Sequence, residues 1–179
     1  MESRQKTRLL LADDHTLVAE ACKGILEPEF DVVAIVNDGR ALIRAATELK
    51  PQVLIVDIAM PLLNGLDAGE QVKHFLPDTK LIYLTMNTNP EVASEAFRRG
   101  ASGYLPKTAA ASELLSAVRE VLKGNSYLSP LIAKATVECL LRKKTLTSKT
   151  SSHHKATARS ATVAGGGPFD EGGSRRPKA

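Results

Sequence analysis

Val53-Leu54-Ile55-Val56-Asp57-Ile58-Ala59-Met60-Pro61 runs four β-prone apolar residues straight into a carboxylate and then breaks on Met-Pro. A run that is apolar on both faces reads as the central strand of a parallel sheet covered by helices on each side. The acid at its carboxyl end then sits where open α/β sheets place their ligands. Asp57 is therefore the residue to explain.

Working outward, the same alternation repeats. Arg8-Leu9-Leu10-Leu11-Ala12 reads as a buried strand ending on Asp13-Asp14, and His15 to Leu26 carries Leu17, Val18, Ala21, Ile25 and Leu26 at helical spacing, stopped by Pro28. Phe30 to Val36 is a second strand, turned by Asn37-Asp38-Gly39 into a helix over Arg40–Leu49 that Pro51 closes. After the central strand comes a helix from about Leu66 to Leu76, then a strand over Lys80–Thr85. Asn89-Pro90-Glu91 opens a helix ending on Arg98-Arg99-Gly100, with proline in the first turn and glycine after the last. Gly103-Tyr104-Leu105 is a brief fifth strand before Pro106-Lys107, and Ala110 to Lys123 is a fifth helix stopped by Gly124-Asn125. Five strand–helix alternations with short connections imply an α/β fold, a doubly wound (βα)₅ parallel sheet. Ser129-Pro130 caps one more amphipathic helix, Leu131 to about Leu141.

Composition divides the chain. Residues 1–141 hold 15 Lys and Arg against 18 Asp and Glu, whereas residues 142–179 hold 9 bases against Asp170 and Glu171. The high pI is thus a property of the tail, and a folded basic face for nucleic acid is not expected. Residues 145–179 are Ser, Thr, Gly, Ala and basic residues with little to bury, which predicts disorder. Cys22 and Cys139 lie far apart with no ligand-like neighbours, so reduced thiols are expected. Met1 to Arg8 is polar and charged with no apolar h-region before Asp13, and no run approaches the roughly 20 residues a membrane span needs. The expectation is a soluble cytoplasmic protein without a membrane partner. His153-His154 falls in the polar tail and is not read as a metal site.

The chemistry gathers at one sheet edge. Asp13 and Asp14 end strand one, Asp57 ends strand three, Thr85 ends strand four and Lys107 follows strand five. Three crowded carboxylates repel, and a hard divalent cation such as Mg²⁺ relieves them. Lys107 adds a fixed positive charge, and Thr85 adds a hydroxyl for an incoming oxyanion. These are parts for phosphoryl transfer to a carboxylate nucleophile. No GxGxxG or P-loop follows a strand, which argues against a nucleotide enzyme. Alone, Asp13-Asp14 reads equally as a cap for the first helix; plain core filling is the lesser reading of Tyr104, and His15 reads as a helix-start residue near the site rather than a proton carrier.

Taken together, Asp13-Asp14, Asp57 to Pro61, Gly65, Thr85, Tyr104 and Lys107 resemble the receiver domain of two-component response regulators. Asp13-Asp14-His15, Gly103-Tyr104-Leu105 and Tyr127-Leu128-Ser129-Pro130 resemble the NarL/FixJ subfamily, which regulates transcription through a LuxR-type helix-turn-helix. The resemblance implies a flavodoxin-like fold with strand order 2-1-3-4-5. It implies a receiver over 7–124, a linker helix over 125–144 and a tail over 145–179. It implies that Asp57 is the phosphoacceptor for a histidine kinase in a Mg²⁺-dependent phosphorelay, so a signalling protein rather than an enzyme. Asp13, Asp14, Asp57 and the Ala59 carbonyl would hold Mg²⁺, Thr85 and Lys107 would contact the phosphoryl oxygens, and Tyr104 would switch inward with Thr85. A homodimer on phosphorylation and DNA as the output partner also follow from the resemblance. The competing readings are an unphosphorylated receiver-fold interaction module, weak nucleic-acid attraction by the tail, and a Mg²⁺-dependent phosphatase. The phosphatase lacks a second carboxylate two residues after Asp57, where Ala59 stands.

The tail does not supply the expected reader. Shifted forward by one base from His153 to Arg175, with third bases free, the genetic code permits ITKRQREVLQLLAEGRSMKEAA. That string resembles the opening of a LuxR-type output domain. A frameshift shortly before His153, leaving an out-of-frame remnant of the DNA-binding domain, is the expectation.

Overall fold

In the computed structural model, which describes residues 6–138, the run Val53–Asp57 is the third strand (β3), and all five of its side chains are buried. The elements are β1 Arg8–Ala12, α1 Thr16–Leu26, β2 Asp31–Val36, α2 Gly39–Leu49, β3, α3 Gly65–Phe75, β4 Lys80–Thr85, α4 Pro90–Arg98, β5 Gly103–Pro106, α5 Ala110–Leu122 and β6 Tyr127–Leu128. A further helix, α6, covers 130–138. All strand pairs are parallel, in the order β2-β1-β3-β4-β5-β6.

Alternate side chains along the strands define the layers. Leu10, Leu54, Val56, Leu81, Tyr83 and Tyr104 share one cluster with Leu42 of α2, Val72 of α3 and Ala96 of α4. Leu9, Leu11, Val53, Ile55, Ile82 and Leu105 share the other with Leu26 of α1 and Leu114 and Val118 of α5. Helices on both faces are what made β3 read as an apolar run rather than an alternating one.

Local chemistry sets where the helices start. Asp38, Asn64 and Asn89 each cap their helix by accepting a backbone N–H, from Ala41, Asp67 and Glu91. Pro90 occupies the first turn of α4, as its spacing predicts. Arg99 then ties α4 to α3 through Asp67 at 2.7 Å and Glu70 at 3.2 Å. Cys22 is buried against the sheet, which pushes its thiol up to about 11. Cys139 lies outside the described residues, as do the tail and His153-His154.

Two expectations for 125–138 need correcting. The first is a sixth strand where only linker is expected. Tyr127 N–H donates to the Ser102 carbonyl at 2.9 Å, and Ser129 N–H to the Tyr104 carbonyl at 3.1 Å. Two residues are too few to show a period of two in sequence. The second concerns the Ser129 hydroxyl: Ser129 does open α6, its carbonyl accepting the Ile132 and Ala133 N–H groups at 3.1 Å, but its hydroxyl donates to Glu113 at 3.1 Å. Tyr127 donates to the same carboxylate at 3.2 Å, so Glu113 of α5 anchors the chain that leaves it. α6 then packs by Ser129, Ile132 and Thr136, all buried, and leaves Leu131 and Val137 exposed.

Among the described residues no helix is long and apolar enough to cross a membrane.

Candidate functional site

Parallel strands put all their carboxyl ends on one side, and this brings together side chains up to 94 positions apart. Lys107, in a short 3₁₀ turn after β5, reaches across the edge. Its Nζ lies 2.7 Å from Asp57 Oδ2 and donates to Asp13 Oδ1 at 2.9 Å. The three side chains are 5%, 2% and 4% exposed, so the ion pairs are shielded from water. Burial disfavours the ammonium, but the bonds to Asp13 and Asp57 outweigh it and hold the Lys107 pKa above its ordinary value.

Asp57 has both oxygens engaged. Oδ2 meets Lys107, and Oδ1 accepts the Ala59 N–H at 3.2 Å. The backbone after β3 is held close by Gly65, whose N–H donates to the Ile58 carbonyl at 2.9 Å. A Cβ at Gly65 would collide with the Asp57 carbonyl oxygen, so the first turn of α3 can approach the strand end only with glycine there. Leu62, in the same β3–α3 loop, has φ of 65°, a left-handed conformation unusual for a bulky side chain.

Asp13 and Asp14 do not cap α1. Its N-cap is His15, without a side-chain cap bond. Asp13 instead turns into the site. Its Oδ2 is buried and ion-paired with Lys107 Nζ at 2.8 Å. Asp14, a third exposed, lies at the rim. Asp13, Asp14, His15 and Asp57 each offer a donor atom within 4.8 Å of the others. Three carboxylates against one lysine leave excess negative charge and an oxygen-rich donor set. That is what a hard dication such as Mg²⁺ requires. His15 is the member that the sequence reading left outside the chemistry. Its adjacency to Asp13-Asp14 at the helix start is the signal that could have found it.

Thr85 and Tyr104 occupy the neighbouring strand ends. Thr85 is buried and its Oγ1 accepts the Asn87 N–H at 2.9 Å. Tyr104 is fully buried, pointing inward, and its hydroxyl donates to the Asn87 carbonyl at 3.1 Å. Burial pushes its pKa up to about 12, offset in part by hydrogen bonding with Thr85. Tyr104 also belongs to the apolar cluster with Ala96 and Ile132, so it fills the core as well.

The whole set can hold a dication, present a carboxylate nucleophile and offer positive charge to an oxyanion. Comparisons with known proteins give the family. Residues 9–119 match the response regulator receiver domain family. The transcriptional regulatory protein DegU of Brevibacillus brevis is 35% identical over 132 residues, covering 73% of this chain and 56% of DegU. The oxygen regulatory protein NreC of Staphylococcus carnosus is 35% identical over 133 residues, covering 73% of this chain and 61% of NreC. The chain therefore spans a little over half the length of such curated relatives.

Among solved structures, a LuxR-family two-component response regulator from Aurantimonas sp. SI85-9A1 aligns with a TM-score of 0.72 at 29% identity, covering 76% of this chain and 99% of that one. The isolated REC domain of RcsB from Salmonella enterica serovar Typhimurium, with the phosphomimetic BeF₃⁻, aligns at 0.68 and 28% identity, covering 73% and 98%. A doubly wound sheet whose acids and lysine converge from three strand ends, matched at this level, has one classification: the chain belongs to the response regulator receiver family, on its LuxR/NarL-type branch.

Proposed function

We propose that Asp57 accepts a phosphoryl group from the phosphohistidine of a histidine kinase, with a divalent cation bound. An Asp57 carboxylate oxygen attacks phosphorus, the new O–P bond forms as the N–P bond breaks, and the kinase imidazole leaves. The observation that carries this reading is the buried bridge from Lys107 to both Asp13 and Asp57 beside the Asp13, Asp14, His15 and Asp57 donors. Lys107 is placed to meet the charge of the transferred group, and the Thr85 hydroxyl to bond one of its oxygens. Asp13, Asp14, Asp57 and the Ala59 carbonyl hold the cation, which neutralises phosphoryl charge when bound. Leu17, Leu62 and Met86 are large, exposed apolar residues in the segments that leave the same strand ends, which supports a protein phosphodonor.

Phosphorylation changes the charge next to Thr85, and Tyr104 relays the change to the α4–β5 face. The output is transcriptional control in the cytoplasm, by a dimer formed on phosphorylation. DNA recognition belongs to an output module such as longer relatives carry, and the shifted-frame string at 153–175 supports an out-of-frame remnant of one. Codons there that spell something else in the shifted frame remove that idea.

The central test is incubation with a small phosphodonor and Mg²⁺. The expected result is one hydroxylamine-labile phosphate per chain, abolished in Asp57→Ala. No labelling would favour a receiver-fold interaction module, and sustained turnover of the donor would favour a phosphatase.

A further inference from the structure

His15 stands at the mouth of this site with its Nδ1 turned inward. That nitrogen lies 2.8 Å from Asp14 Oδ1, 3.3 Å from Asp13 Oδ1 and 3.9 Å from Asp57 Oδ2. The cause is local. His15 is the N-cap of α1 in an extended conformation, and its own N–H is bonded to Asp13 Oδ1 at 2.9 Å. The chain therefore folds back on the two acids before the helix begins, and the ring goes with it.

We propose that His15 is a nitrogen ligand of the divalent-cation site and biases it toward first-row transition ions over Mg²⁺. This rests on the cation-bound reading of Asp57 given above. An octahedral ion with ligands at about 2.1 Å has neighbouring donors about 3 Å apart and opposite donors about 4.2 Å apart. The contacts of Nδ1 span that range, and all the donor atoms fall within 4.8 Å of one another. Asp13 and Asp57, both nearly fully buried, are the inner members of the same cluster. A site of oxygens alone suits Mg²⁺, whereas an imidazole nitrogen adds more to the binding of a transition ion. A plain ion pair between a surface histidine and two acids would give the same contacts without ligating an ion, and the test separates the two.

The full chain is used with His153→Ala and His154→Ala in the background, since those histidines could bind transition ions themselves. Mn²⁺ and Mg²⁺ affinities are measured by calorimetry for this parent, for His15→Ala and for His15→Gln. Bound Mn²⁺ is examined by pulsed EPR for coupling to a histidine nitrogen. The expected results are nitrogen coupling in the parent, its loss in both variants, and a fall of about tenfold in the Mn²⁺-to-Mg²⁺ affinity ratio. Binding of both ions by the parent without nitrogen coupling, or an unchanged ratio in the variants, overturns the ligand role of His15 and leaves the phosphoacceptor reading standing. Failure of the parent to bind either ion overturns both.

Discussion

The carboxyl edge of the sheet and its β5–β6 flank are built on opposite principles. At the edge, Asp13, Asp57 and Lys107 are held by buried charge, with one ammonium shared between two carboxylates. On the flank, β6 and α6 are held by backbone pairing, by Glu113 and by the burial of Ile132. Charge interactions respond to an added cation or phosphate, whereas apolar packing does not. Tyr104 belongs to both, its hydroxyl donating to the Asn87 carbonyl and its ring lying in the same apolar cluster as Ile132.

The largest expected effect separates the two regions by their response to divalent ion. Lys107→Met leaves Asp13 and Asp57 facing each other in a buried site, and should cost about 3 kcal/mol in urea unfolding at pH 7. Millimolar Mg²⁺ should restore part of that loss, and a variant indifferent to Mg²⁺ would break the comparison. The same pair of proteins tests pH. The Lys107 pKa is raised in the fold, so its contribution is complete below the unfolded lysine value of about 10.4 and fades as pH rises through the folded value. The gap between parent and variant should stay level from about pH 7 to 10 and narrow above.

Ile132→Ala comes next, with an expected loss of about 2 kcal/mol that is the same with and without Mg²⁺. A Mg²⁺-dependent loss there would mean that the flank is not held by packing alone. Tyr104→Phe removes the bond to the Asn87 carbonyl and should lower stability by about 1 kcal/mol in the same assay. No change would mean that the hydroxyl adds nothing at the junction. The smallest effect belongs to Ser94 and Thr136, whose hydroxyls are buried without a hydrogen-bond partner. Ser94→Ala and Thr136→Val should each leave stability unchanged or raise it by less than about 1 kcal/mol. A loss beyond that would reveal a partner for the hydroxyl.

Most of the sheet was legible because its strands carry their own signal. Leu9 to Ala12, Val53 to Val56 and Leu81 to Leu84 are apolar runs bounded by acids, proline or polar turns, and they fold as the strands expected, within a residue or so at the ends. Tyr127–Leu128 was not legible, since a two-residue strand is made by its partner β5 and not by its own pattern. The partner of the Ser129 hydroxyl was not legible for a related reason. A serine before Pro130 fits a helix cap, and only the nearness of Glu113 takes the hydroxyl elsewhere. At the edge, Asp57, Asp13, Asp14, Thr85 and Lys107 could be placed on strand ends from their spacing, but the inward turn of the His15 ring could not.

By itself, the sequence determined the class of fold and the identity of the groups at its carboxyl edge, because residue periodicity and strand order are properties of short segments. The tertiary structure alone decided that Lys107 bridges Asp13 to Asp57, that Gly65 must lack a side chain against the Asp57 carbonyl, and that His15 joins the acids. Those facts depend on distances of a few ångströms between segments far apart in the chain, and no local pattern encodes such a distance.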